Sequence, residues 1–199
     1  MKKLKFIVLS MIFVTILGLG ACSSNTPTPD EIEVTPELTN EDAKEILYDL
    51  LPRAEYMYSP IFNGVSINID ETQLMPGDDR FALLVDYEYS SLAQLKEDIE
   101  SIFTKEVAEE EFYSRYIDSD DGLSMPLYKE YEGQLYQNIH NGGKGWATDW
   151  LIETAVIKSQ EGTRVTIEME TTLFDEPFEP LTVVMEYIDG KWLIAEPLV

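Results

Sequence analysis

"RVTIEME", residues 164–170, alternates without a break: Val165, Ile167 and Met169 on one side, Arg164, Thr166, Glu168 and Glu170 on the other. A period of two marks a strand with one face on a core and the other in water. "LTVVMEYI" (181–188) follows, and Asp189-Gly190 separates it from "KWLIAE" (191–196). Both central residues of a type I′ turn need positive φ, which Asp-Gly tolerates, so these two pieces form a hairpin. "SQEG" (159–162) predicts a second hairpin ahead of the alternating strand. The last third of the chain is therefore an antiparallel meander.

Working outward, the period of two begins near Leu127. "GQLYQNIH" (133–140) is one strand, and "TDWLIETAVIK" (148–158) is a longer one. Before Leu127 the period is helical. Ala43, Ile46, Leu47, Leu50, Leu51 and Ala54 make one apolar stripe over residues 40–58, with Thr39 and Asp42 as a capping pair. Residues 91–103 form a second helix: Ser91 and Gln94 make a capping box, and Leu92, Leu95, Ile99, Ile102 and Phe103 share a face. Thr104 caps a third, "KEVAEEEFYSRYI", which "DSDDG" (118–122) stops. "GVSINID" (64–70) and "RFALLVDYEY" (80–89) are strand-like, with "MPGDD" (75–79) as the turn between them. Helices early and a meander late predict an α+β fold: N-terminal helices packed on a curved antiparallel meander sheet, in a single domain.

The chain opens with Lys2, Lys3 and Lys5, then runs apolar from Phe6 to Ala21. That is a secretory signal, and its length falls short of the roughly 20 residues of a membrane span. Leu19-Gly20-Ala21-Cys22 resembles the lipobox of bacterial lipoproteins, in which the thiol receives a diacylglyceryl group and becomes the first mature residue. Cys22, the only cysteine, is thus an expected lipid anchor rather than a nucleophile, disulfide partner or metal ligand. The expected organisation is a lipoprotein signal peptide over 1–21, a disordered Ser/Thr/Pro-rich tether over 22–39, and a folded domain over 40–199.

All 38 acidic residues lie beyond the signal, whereas three of the 14 Lys and Arg lie within it. So acidic a body repels nucleic acid and anionic headgroups. It favours a basic partner surface or a cation; solubility or a salty habitat would equally account for it.

Catalytic chemistry finds few residues to work with. His140 is the only histidine, no nucleophile-elbow motif accompanies it, and one Cys with one His cannot make a zinc site. "NGGKGW" (141–146) lacks the Ser/Thr and helix that a phosphate loop needs after its lysine, so it is a loop between strands. "DSDDG" fails as an EF-hand, because Leu123 and Lys129 stand where Gly and Glu are required. With 38 acids, a carboxylate pair carries no specificity. The expectation is a protein without catalytic residues, cofactor or metal.

"SLAQLKEDIESIFTKEV" from Ser91, "YEGQLYQN" (131–138), "GGKGWATDW" (142–150) and "IDGKWLI" (188–194) form an ordered series in which the chain resembles the IseA family over most of residues 40–196. These are secreted bacterial inhibitors of D,L-endopeptidases, the papain-like NlpC-type enzymes that cut peptidoglycan stem peptides. The resemblance implies a non-catalytic inhibitor on the outer face of the cell membrane whose acidic surface docks over a basic rim and blocks the enzyme's cleft. It directs attention to two loops: Asp118, Asp120 and Asp121 as charge contacts, and Gly142, Gly143, Gly145 and Trp146 for close backbone approach and an aromatic anchor. The plainer alternatives are a solvated helix stop for the Asp cluster and a core position for Trp146. The lipid anchor departs from a secreted family. The closing strand also looks like small cystatin-like or NTF2-like lipoprotein domains, which leaves a lipid-anchored small-ligand-binding module as the alternative.

Overall fold

The computed structural model describes residues 35–62, 68–119, 126–140 and 147–198, all within one compact unit, Val34–Val199. Its architecture is α+β: helices packed against antiparallel strands, as the periodicities predict. The strands are divided between two sheets.

Helix α1 spans Asn40–Tyr56. Thr39 caps it in a full capping box, its hydroxyl accepting from the Asp42 N–H while the Asp42 carboxylate accepts from the Thr39 N–H at 2.9 Å. Ala43, Leu47, Leu50, Leu51 and Ala54 are buried. The chain continues past Tyr56 as a π-helical turn, Met57–Ile61, closed by the Phe62 N–H donating to the Met57 carbonyl at 3.0 Å. Helix α2 is Leu92–Glu100. Ser91 caps the Gln94 N–H, but the Gln94 amide reaches back to Ser90 rather than Ser91, so the predicted box is half made.

Thr104 caps the third helix as expected, with α3 at Lys105–Val107 running into a π-helical segment, Ala108–Ile117. Its buried apolar residues explain the wider winding. Val107, Phe112 and Ile117 stand five apart, a spacing that an i→i+5 bonded helix keeps on one side better than an α-helix does.

The first sheet has the order β1-β2-β4-β3, with β1 Ile69–Met75, β2 Asp78–Leu84, β3 Tyr128–Tyr131 and β4 Gln134–Asn138. Of the predicted "GVSINID", residues 64–67 lie outside the described residues; the described strand starts at Ile69 and runs on to the Pro76-Gly77 turn, and the second ends at Leu84 rather than Tyr89. The second sheet is β5-β7-β8-β9, with β6 also on β7: β5 Thr148–Trp150, β6 Val156–Glu161, β7 Arg164–Leu173, β8 Glu176–Ile188 and β9 Lys191–Ile194. β6 through β9 are the predicted meander. The expected long strand over 148–158 is broken by a 3₁₀ turn, Ile152–Thr154. The Thr154 hydroxyl donates to the Leu151 carbonyl at 2.7 Å and accepts from the Glu170 N–H at 2.8 Å, which supplies partners that a continuous strand would have found on β7.

Val165, Ile167 and Met169 are buried, while Arg164 and Glu170 face water. Asp189 and Gly190 take φ of +50° and +80°, the type I′ geometry their identities called for. The connection between α2 and α3 covers the outer edge of β9: the Thr104 N–H donates to the Ile194 carbonyl, and the Ile194 N–H to the Ile102 carbonyl, each at 2.9 Å. Between the helices and the first sheet lies an aromatic core. Phe62 packs on Phe112, Tyr116 and Tyr128, and Phe103 on Tyr58 and Phe112, with ring centroids 4.9 to 5.9 Å apart.

Candidate functional site

Of the residues singled out from sequence, Cys22, Asp120, Asp121, Gly142, Gly143, Gly145 and Trp146 lie outside the described residues. Asp118 is described and exposed. It ends the π-helical segment, its N–H donating to the Tyr113 carbonyl at 2.7 Å, and its carboxylate pairs with Lys96 of α2 at 3.0 Å. Lys96 in turn sits 4.4 Å above the Tyr113 ring. One carboxylate of the acidic stretch is thus already matched from within the chain.

The residues flanking the two expected loops meet. Leu127, just after the acidic stretch, donates its N–H to Tyr116, just before it. Asn138, at the end of β4 and leading to the glycine-rich stretch, is buried; it donates its backbone N–H to Leu127 at 2.8 Å and its side-chain amide to Pro126 at 3.4 Å. Ile139 donates to the Arg80 carbonyl at 2.9 Å. Both stretches therefore begin or end on one small hydrogen-bonded patch. His140 lies exposed just past β4, its backbone N–H donating to the Asn138 side chain at 2.9 Å. Among the described residues no group of three or more His, Cys, Asp or Glu is placed to hold a metal ion.

The surface chemistry is set by how the basic residues are used. Lys44, Arg53, Arg80, Lys96, Arg115, Lys129, Lys158 and Arg164 each form an ion pair within the chain. Most cationic charge is therefore spent locally, and the surplus carboxylates face solvent unopposed. A groove of about 800 Å³ along α1 shows the excess: Glu37, Asp42, Glu45 and Asp49 line it, with Trp192 beneath and only Arg53, which pairs with Asp49 at 3.5 Å, and Lys191 as cations. Arg53 is tied down by Asp98 at 3.2 Å and by the Ser101 hydroxyl. Tyr89 donates to the other Asp98 oxygen at 2.6 Å, and burial together with that bond pushes its phenol above the ordinary tyrosine range. A second opening of about 430 Å³ continues from there along Glu88, Gln94 and Glu97.

Asp78 is the opposite case, a carboxylate fully met. Arg80 holds both its oxygens at 2.6 Å and Lys129 adds a third contact at 3.0 Å, which keeps its carboxyl well below the usual carboxylate range.

No protein-family profile matches the chain, and no curated protein sequence matches it.

Two hairpin turns escaped the sequence reading. Glu132-Gly133 joins β3 to β4, and Phe174-Asp175 joins β7 to β8, all four with positive φ. The glycine at 133 was an available signal. At Phe174 no local signal exists.

Proposed function

We propose that this chain is a membrane-anchored extracellular lipoprotein, held by acylated Cys22, that inhibits cell-wall D,L-endopeptidases without catalysis of its own. What carries the reading is the arithmetic of charge on the described surface: local ion pairs consume most cations, and carboxylates outnumber cations around the α1 groove. Such a field steers a basic partner surface into contact and raises the encounter rate more than the final affinity. Asp118, Asp120 and Asp121 would meet the rim of the enzyme's cleft, and the stretch from Gly142 through Gly143 and Gly145 to Trp146 would close on it. The shared hydrogen-bonded patch at their roots supports their acting together. The small-ligand reading asks for a deep apolar pocket, whereas the groove along α1 is lined by charge.

The mature chain carrying Cys22→Ser should slow peptidoglycan digestion by a purified basic NlpC-type endopeptidase at low ionic strength, and progressively less as salt is added. Full-rate digestion at equimolar protein and low salt would overturn the reading. Incorporation of labelled fatty acid into the parent but not into Cys22→Ser tests the anchor separately.

A further inference from the structure

The distal end of the β7–β8 hairpin carries two exposed aromatic residues. Phe174 is 77% exposed and Phe178 50% exposed. Phe174 occupies the first central position of the turn with φ +52°, followed by Asp175 at +65°. Asn or Gly adopts that backbone readily, whereas for a bulky side chain it is strained. A strained residue that buries almost nothing contributes neither packing nor turn stability, which leaves recognition as its use.

The surroundings give that use a shape. Trp150, Thr171 and Phe178 are direct cross-strand neighbours over β5, β7 and β8, and share one face. Beside them opens a cleft of about 230 Å³, bounded also by Pro180, Leu181 and Leu198. Glu179 lines the cleft, Asp175 and Glu176 lie between the two phenylalanines at the hairpin end, and residues 165–190 contain no Lys or Arg.

Three occupants can be weighed. A bilayer with anionic headgroups would be repelled by the carboxylates. A second copy of the chain would bring like charges together. It would also find the outer edge of β8 blunted: β9 pairs only from Met185 onward, and Pro177 and Pro180 have no N–H to offer. A protein surface with an apolar pocket inside a cationic rim satisfies both features.

We propose that this arm is a docking element that inserts Phe174 and Phe178 into such a pocket. For the partner's identity the proposal rests on the inhibitor reading, which makes that surface part of the endopeptidase.

The test measures association and dissociation rates of the mature Cys22→Ser chain on a purified NlpC-type endopeptidase, alongside melting temperatures. Phe174→Asn should dissociate at least roughly tenfold faster while melting at the same or a higher temperature, since Asn suits the turn. Phe178→Ser should behave similarly in binding. Neutralising Asp175, Glu176 and Glu179 together should slow association and flatten its salt dependence. Tyr131→Ser, at an exposed aromatic outside the arm, should leave both rates unchanged. If the parent binds and both Phe variants keep its rates, the docking arm is refuted while the inhibitor reading stands. If both variants melt lower in step with their weaker binding, the pair is structural and the proposal also falls. If the parent itself does not bind, the inhibitor reading fails and takes the partner with it.

Discussion

Glu111 and Arg115 show how this acidic chain manages its carboxylates one at a time. Glu111 is 6% exposed on the core side of the π-helical segment, and Arg115, one turn on and 52% exposed, grips both its oxygens at 2.8 and 3.1 Å. Removing the half-exposed guanidinium leaves a buried charge with no cation. Arg115→Ala should therefore cost about 1–3 kcal/mol, less than a fully buried pair would because water reaches one partner. Adding Glu111→Gln should recover part of the loss, and chemical denaturation of both variants decides it; equal destabilisation by single and double variant would contradict the account. Asp78 makes the parallel case for pH. Its carboxyl is depressed first by Arg80 and then by Lys129, so its stabilisation is complete above the ordinary Asp pKa of about 3.9 and is lost as pH falls below it. The stability difference between the parent and Asp78→Asn should stay flat from about pH 5 to 8 and shrink on further acidification. A difference that instead grows below pH 4 would mean that Asp78 is not stabilised by its cations.

At the level of elements, the turns separate what the sequence declares from what it conceals. Asp189-Gly190 announces itself because Gly is the residue that positive φ requires, and the surrounding period of two fixes which residues face the core. A Cβ at Gly190 would meet nothing within 4 Å, so Gly190→Ala isolates the backbone penalty at φ +80°. It should lower stability by about 1–2 kcal/mol with no change in the core, read by thermal melting; an unchanged melting temperature would mean that the turn relaxes without penalty. Phe174-Asp175 has the same backbone but no glycine, so nothing nearby in sequence reports it. The break at Ile152–Thr154 was hidden for a different reason: Trp150, Leu151, Ile152 and Ala155 read as a continuous apolar strand, and only the Thr154 hydroxyl bonding to Leu151 and Glu170 shows where it turns. Helix 105–117 was legible in extent from the Thr104 cap, yet its π winding depends on how Val107, Phe112 and Ile117 meet the aromatic core. The candidate site follows the same division. Composition reports the acidity, but the pairing of Asp118 with Lys96 spans 22 residues and no local pattern encodes it.

Over the whole molecule, 38 acidic residues confront 14 basic ones, and salt acts on that imbalance in two opposing ways. Screening weakens the ion pairs, but most are exposed and each contributes at most about 1 kcal/mol. It also relieves repulsion among the surplus carboxylates, which acts over the Debye length of about 10 Å at 0.1 M and involves far more groups. The second effect should win. Sodium chloride raised from low millimolar to about 0.5 M, where the Debye length shortens to a few ångströms, should increase the melting temperature. A fall would mean that the ion pairs, rather than the repulsion, dominate the surface. Binding to a cationic partner responds with the opposite sign, because the field that strains the free protein is the field that attracts the partner. Measured in one salt series, stability should rise while association slows. Weaker inhibition at high salt then cannot be attributed to unfolding, and the two curves together separate electrostatic docking from loss of structure.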